Sequence, residues 1–448
     1  MTLLTLEVRI DGHADFVGLL TRNENSGLSF KYTKSFIENP NAVPLSLSLP
    51  LRSEGFGDVL TRAFFDNLLQ ERSEPLEAIM TREGLERDDV AGLLLHLGKD
   101  CAGAVSVLAI GQAPTKVPGN FLLDYDIIGF GHLSEIIKSL HINNVFPDGI
   151  HDPSPLAGVQ NKFAVTVLPD GQFAFPKRGS GAPTTHIIKV PKRSHSSDAR
   201  QETAALILSK AVGIETIEAE VLLFDEIEAL IVKRFDRDLN QEGLVIRHHQ
   251  EDFAQALGLP RQLKYQRDGG VGRCFDIHAI RTVLDQTVEP GAARTTFFSA
   301  TIFDLLVGNV DAHAKNHALI YDVSGKAKLS PRYDILPTRL DPQVTEFLPY
   351  QIGEARIFDE LTISDLNMFL KDLGFASAKG RQRLLQTIVT EHSLKLSEFF
   401  DILQKQRLKL FADLIASNIR KLCEIVDVAI PVQAQNRDAF ISRGGGWS

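Results

Sequence analysis

Only three cysteines occur in 448 residues, Cys101, Cys274 and Cys423, and no Cys-x-x-Cys pair is present. An odd, scattered set of thiols argues against a disulfide framework or a thiolate zinc cluster and for a reducing compartment, so a cytoplasmic protein is expected. Long apolar runs are also scarce. The most apolar stretch, Phe297 to Val310, is interrupted by Asp304 and is shorter than a bilayer needs, so it reads as a buried helix. The opening residues bring in Glu7 and Arg9 early and read as a first strand rather than a leader. No excess of positive charge exists: 48 basic residues face 57 acidic ones, a formal net charge of −9. The chain therefore lacks the overall basic footprint of a protein that grips DNA by itself, although a local patch stays open. Repeats and low-complexity tracts are missing apart from the short tail at 443–448, expected to be disordered.

What remains is an ordinary globular composition, 44% hydrophobic and 23% charged, with length for two or three packed units. About the first 110 residues mix short β-like runs with helical stretches around Ala63 to Leu69 and Leu76 to Arg82. From Phe163 to Lys233 the pattern is strand-rich: 163–168 alternates before the Asp170-Gly171 turn, and 186–190, 219–224 and 229–233 are further strands. One helix interrupts them, with N-cap candidates Ser196, Ser197 and Asp198 and a stop at Gly213. Glu202 lies on its apolar face with Ala205, Leu208 and Val212, and an inward carboxylate needs a partner. From Asp252 onward the pattern is mainly helical: 277–284, 295–308, 362–372, 378–390 and 396–425. The expected class is α+β, a strand-rich unit followed by a helical one with a cleft between two lobes.

The chemistry concentrates in residues 309–320, where Asp311 precedes Asn316 with four residues between them. That D-x-x-x-x-N spacing is the one protein kinases use in their catalytic loop. A carboxylate there accepts a hydroxyl proton beside the γ-phosphate, a neutral amide holds a metal, and Lys315 between them can neutralise developing charge. The bland alternative is a polar turn after a helix. Asp334, in Tyr333-Asp334, falls 18 residues past Asn316, where a DFG-like metal-binding aspartate would stand, although Tyr-Asp before a proline turn also suits an Asx turn. Lys189 lies on the 186–190 strand as the kinase β3 lysine does, and Glu202 on the next helix is its candidate partner. A solvated strand lysine and a generic salt bridge are the competing readings. Small residues in Leu156 to Lys162, leading into the strand at Phe163, suit a backbone cradle for phosphate. No G-x-x-x-x-G-K-[ST] or G-x-S-x-G motif is present, which disfavours a P-loop NTPase and a serine hydrolase. His313 and His317 have metal-ligand spacing, but Ala314 stands where H-E-x-x-H needs its glutamate, and adjacent His248 and His249 point apart.

With these residues assembled, the sequence resembles the HipA family, toxin kinases of the HipBA toxin–antitoxin systems, over nearly its whole length. The marks include residues 44–51, 64–69, 103–105, 157–162, 185–189, 234–237, 250–252, 264–270, 311–316 and 333–334. The resemblance implies a two-lobed protein-kinase-like fold: an extra N-terminal subdomain at 1–140, a strand-rich N-lobe at 141–237, an all-α C-lobe at 238–432 and a flexible tail at 433–448. It implies ATP and Mg²⁺ as cofactors. Ala157, Gly158, Val159, Gln160, Asn161 and Lys162 would contact the phosphates, Lys189 would bind ATP, and Lys233, Arg234 and Phe235 would form the adenine-side linker. Asp311 would be the catalytic base, His313, Lys315, Asn316 and Tyr333 nucleotide contacts, and Asn316 with Asp334 the Mg²⁺ ligands.

Two positions depart from the family pattern. Lys233 replaces the usual linker glutamate, so a side-chain carboxylate contact to adenine is lost. The family's inhibitory autophosphorylation serine falls at Pro155, with Ser154 one place earlier, which leaves open whether Ser154 takes that role. The implied partner is a dimeric HipB-like helix-turn-helix antitoxin through which DNA is contacted, in keeping with the acidic balance of this chain. The implied substrate is an aminoacyl-tRNA synthetase, with no membrane involved. A kinase-like scaffold that acts mainly as corepressor, and a small-molecule or lipid kinase, are the other readings.

Overall fold

Alternation decides the N-terminal sheet. In β3 (Leu28–Tyr32) Leu28, Phe30 and Tyr32 are buried while Ser29 and Lys31 are exposed, the period-two pattern of a half-buried antiparallel strand. It pairs with β2 (Gly18–Arg22), which pairs with β1 (Leu4–Ile10), and β4 (Val105–Ala109) completes the order β3-β2-β1-β4. Gly18 in β2 is required: a Cβ there would stand 2.5 Å from the Phe30 ring. The computed structural model describes residues 2–69, 74–147, 161–438 and 440.

The chain forms two compact units. The first comprises Met1–Ala199, Glu218–Arg261 and Ala318–Ala327; the second comprises Arg200–Ile217, Gln262–His317 and Lys328–Ser448. In the first, a six-stranded sheet runs β5-β7-β6-β8-β10-β9, with β5 (Tyr125–Ile127), β6 (Asn161–Val167), β7 (Phe173–Pro176), β8 (His186–Val190), β9 (Ala219–Phe224) and β10 (Ile227–Lys233). Leu133, Ile136, Ile137 and Leu140 of helix Phe130–Asn143 pack on Phe163, Val165, Ile188 and Ile231, so one face of the central strands is core and the other faces away from that helix.

A buried ionic network joins residues from the N-terminal sheet region to the short strands β11 (Arg237–Leu239) and β12 (Val245–Arg247) within this unit, and β13 (Gln250–Asp252) follows them. Arg247 reaches Asp11 at 2.6 Å and Asp100 at 3.1 Å, while Lys116 reaches Asp100 at 3.0 Å. Burial alone would push the Asp100 carboxyl up, yet Lys116, Arg247 and Arg237 hold it well below the usual carboxylate range.

In the second unit, helix Pro290–Val307 packs against helices Ile277–Leu284, Ala378–Ser397 and Lys409–Val426. It starts five residues before the expected Thr295, because Pro290 is a starter at the first helical position rather than a breaker. Its C-terminal carbonyls are satisfied from outside: Asn418 donates to Leu305 at 3.0 Å and to Leu306 at 3.1 Å. The expected single helix over 396–425 is broken. Arg407 adopts a left-handed φ of 62°, and the turn buries both Leu403 and Leu408. The region 238–432, expected to be wholly helical, also carries short strands, among them β14 (Ala318–Tyr321), which belongs to the first unit, β15 (Ala327–Leu329), β16 (Phe347–Ile352) and β17 (Ala355–Ile357). In β16 Leu348, Tyr350 and Ile352 are buried, and Gly353 supplies the positive φ, 61°, that turns the chain into β17. No helix among the described residues is long and apolar enough to cross a membrane.

Candidate active site

The Asp311 loop is shaped by the helix before it. Gly308 ends that helix with a left-handed φ of 72°, and Asn309 then donates from its backbone N–H to the Asp304 carbonyl and from Nδ2 to Asp304 Oδ1, both at 2.9 Å. Asn309 Oδ1 in turn accepts from the Asp311 N–H at 3.1 Å, an Asx-type turn that sets the direction of Asp311. The Asp311 carbonyl accepts from Asn316 Nδ2 and from the His313 N–H, each at 2.8 Å. The D-x-x-x-x-N spacing thus closes a compact loop in which the amide of Asn316 is pinned through its nitrogen. The Asp311 carboxylate is half-buried and accepts a hydrogen bond from the Tyr265 hydroxyl.

Asp334 is brought to the same loop. Tyr333 donates its hydroxyl to the Lys315 carbonyl at 2.8 Å, and Asp334 itself has a left-handed φ of 57°, uncommon for a residue with a side chain. Residues 215–217 run beside this segment, with Arg332 N–H on the Glu215 carbonyl at 2.8 Å and Ile217 N–H on the Arg332 carbonyl at 3.0 Å. Arg332 also places Nη2 2.9 Å from both oxygens of Asp304. The break that Asp304 makes in the apolar run therefore has a cause: this one carboxylate organises the start of the Asp311 loop and the approach to Asp334. Burial raises the Asp304 carboxyl, with Arg332 opposing.

His313, Lys315 and Asn316 are buried within the loop. His317 makes a 3.1 Å hydrogen bond from Nε2 to the Ala312 carbonyl, and burial together with Arg332 keeps its ring well below the ordinary histidine range. That nitrogen is spent on backbone, and among the described residues no group of three or more His, Cys, Asp or Glu side chains could hold a metal. His249 is likewise committed, 3.0 Å from the Leu45 carbonyl.

In the first unit, Lys189 on β8 lies directly opposite Lys162 on β6 and Leu230 on β10. Cross-strand partners share a face, so both ammonium groups project from the side opposite Phe163 and Ile188. Lys233 is exposed and holds Glu218 at 3.2 Å, Phe235 is half-buried, and Arg234 is buried against Asp236 at 2.9 Å. Glu202 is buried on the helix Asp198–Ala211, on the face that carries Ala205 and Leu208. Ser154, Pro155 and the expected phosphate-contacting residues Ala157, Gly158, Val159 and Gln160 lie outside the described residues, while Asn161 and Lys162 open β6.

Sequence reading missed Asn309, Asp304, Arg332 and Tyr265. Asn309 carried a usable signal, a turn-forming residue two places before the aspartate. Tyr265 carried none of its own, being 46 residues away.

Comparison with known proteins identifies the family. The family model for the HipA N-terminal domain matches residues 6–108, and that for the HipA-like C-terminal domain matches 154–393. Y4mE of Sinorhizobium fredii is 32% identical over 429 residues, 94% of this chain and 99% of the relative. The serine/threonine-protein kinase toxin HipA of Shewanella oneidensis is 28% identical over 77% of each chain. Among solved structures, a chain from the S. oneidensis complex of HipA, HipB and operator DNA superposes with a TM-score of 0.76 at 24% identity, covering 95% of this chain and 100% of that one. The fold is the α+β, kinase-like fold of that protein, and the chain belongs to the HipA family.

Proposed function

We propose that the chain is a Ser/Thr protein kinase that transfers the γ-phosphate of ATP to a protein hydroxyl. The observation that carries this reading is the joining of Asp311, Asn316 and the Tyr333-Asp334 segment into one hydrogen-bonded loop system. In the reaction the acceptor hydroxyl oxygen bonds to the γ-phosphorus, the bond to the ADP oxygen breaks, and the hydroxyl proton passes to the Asp311 carboxylate. Lys162 and Lys189, opposite each other on neighbouring strands, put two cationic side chains on one sheet face, which suits a polyanion. Lys189 would bind the nucleotide with Glu202 as its partner, the segment 157–162 would cradle the phosphates, and Lys233, Arg234 and Phe235 would line the adenine side. The Arg234 side chain is committed to Asp236, so its part there falls to the backbone.

The residues present fit Mg²⁺. The Asn316 nitrogen is taken by the Asp311 carbonyl, which leaves its oxygen as the ligand atom, and Asp334 supplies a carboxylate. A magnesium ion that arrives with a triphosphate needs only one or two such protein oxygens. When bound, it neutralises charge between the phosphates.

As in the complex of the S. oneidensis relative, a HipB-like antitoxin that contacts DNA is the proposed partner. An aminoacyl-tRNA synthetase is the proposed substrate, Ser154 the candidate autophosphorylation site, and the cytoplasm the proposed location. The test is transfer of labelled γ-phosphate from Mg-ATP into a bacterial lysate by the wild-type chain and by Asp311→Asn, followed by identification of the labelled protein. Loss of label in the variant by roughly a hundredfold or more is expected. Equal labelling by both would refute the role of Asp311, and Mg-ATP binding without any transfer would point to a corepressor scaffold instead.

A further inference from the structure

We propose that Tyr265 is the positioning residue for Asp311, holding its carboxylate in one orientation while the acceptor hydroxyl gives up its proton. The inference rests on the kinase reading above. The Tyr265 phenol donates to Asp311 Oδ1, so one carboxylate oxygen is fixed and the other, Oδ2, is left to meet the acceptor hydroxyl. The tyrosine is itself held from several directions. Its ring meets the His313 ring edge-on at 5.1 Å, and the exposed Arg267 guanidinium covers it at 3.9 Å from the ring centroid. On one side the Lys264 carbonyl accepts from the Ala314 N–H at 3.0 Å, inside the Asp311 loop; on the other, Gln266 Oε1 accepts from the Gln351 N–H at 2.7 Å on β16. The segment 264–266 is thus anchored to the catalytic loop and to the hairpin beside it, and Tyr265 is the residue it presents to Asp311.

Without the phenol, the Asp311 carboxylate would be free to rotate away from the acceptor. Tyr265→Phe keeps the ring that packs on His313 and removes only the phenol hydroxyl, so the loss should fall on turnover rather than on nucleotide binding.

The experiment compares the full-length wild-type chain with Y265F, using γ-labelled Mg-ATP and an array of Ser/Thr peptides. The same proteins are titrated with a fluorescent ATP analogue. The expected result is a kcat lower by about ten- to a hundredfold, the range of one charge-assisted hydrogen bond, with the KM for ATP and analogue affinity within about twofold. An unchanged kcat, or a kcat loss matched by an equal loss of nucleotide affinity, would overturn the proposal. Should Y265F fail to fold, Arg267→Ala carries the test. That exposed side chain steadies the ring from outside, so a severalfold drop in kcat at unchanged ATP affinity supports the role and an unchanged kcat overturns it. A wild-type chain that binds the analogue but labels no peptide would remove the kinase reading, and this inference with it.

Discussion

Arg332 sets one guanidinium nitrogen 2.9 Å from each carboxylate oxygen of Asp304, and both side chains are buried. Asp304 also receives Asn309, two residues before Asp311, while Arg332 lies two residues before Asp334. The pair therefore sets the spacing of two functional segments through a single buried contact. Arg332→Met would leave Asp304 buried beside a neutral chain, and breaking such a pair costs about 3–5 kcal/mol. A urea midpoint within error of wild type would show that the pair contributes little. Asp304→Asn in the same background should recover part of the loss, because it removes the stranded charge.

Tyr333 makes a narrower prediction. Its 2.8 Å hydrogen bond to the Lys315 carbonyl ties the Asp334 segment to the loop that carries Asn316. Tyr333→Phe keeps the ring and removes the tie, at a stability cost of only about 1 kcal/mol. If Asn316 and Asp334 share a magnesium ion, the Mg²⁺ concentration for half-maximal transfer should rise severalfold while the thermal midpoint barely moves. A Mg²⁺ requirement identical to wild type would count against shared metal binding.

The legible parts of this molecule are those whose cause is local. Asp276 followed by the apolar spacing of Ile277, Ile280, Val283 and Leu284 defines a helix, and the structure has it at Ile277–Leu284 with Asp276 as N-cap. Asp311 and Asn316 could be placed in one loop because their spacing alone requires it. What stayed hidden depends on distant partners. Asp304 showed only as an interruption, since its reason is Arg332, 28 residues on. The β16–β17 hairpin was obscured because its buried residues include Tyr350, whose hydroxyl is satisfied by Thr301 in another element. The break at Arg407 has no glycine or proline to announce it.

The ionic network around Asp100 predicts a large stability effect far from the proposed chemistry. Lys116, Arg237 and Arg247 all converge on this buried carboxylate. Asp100→Ala removes the charge that offsets their desolvation, although Arg247 retains Asp11 at 2.6 Å and Arg237 retains Asp236 at 2.9 Å. Destabilisation of about 3–5 kcal/mol is expected, read as a lower urea midpoint and faster proteolysis of the N-terminal region. A midpoint within about 1 kcal/mol of wild type would mean that Asp11, Asp236 and water relieve the three cations instead.

Glu251 supplies a pH signature. Its carboxylate lies fully buried and accepts from Ser46 Oγ, from the Leu47 N–H at 3.0 Å and from the Tyr321 hydroxyl. Burial pushes it up from 4.5 to about 7, and the three hydrogen bonds only partly oppose that rise. The folded chain therefore keeps this proton through a range in which the unfolded chain has released it. Stability from this group is complete below about 4.5 and is lost as pH rises to about 7. Glutamine fits the same contacts, since its amide nitrogen can donate to Ser46 Oγ, which can donate in turn to the Gln255 carbonyl 3.2 Å away. Buried His249, lowered to about 4 by desolvation, works in the opposite sense in the same window, so the informative quantity is the difference between wild type and Glu251→Gln. That difference should favour the variant increasingly as pH rises from 5 to 8, by up to about 3 kcal/mol. A gap that stays constant across the titration would mean that Glu251 is ionised in the folded chain throughout, with its three donors outweighing burial.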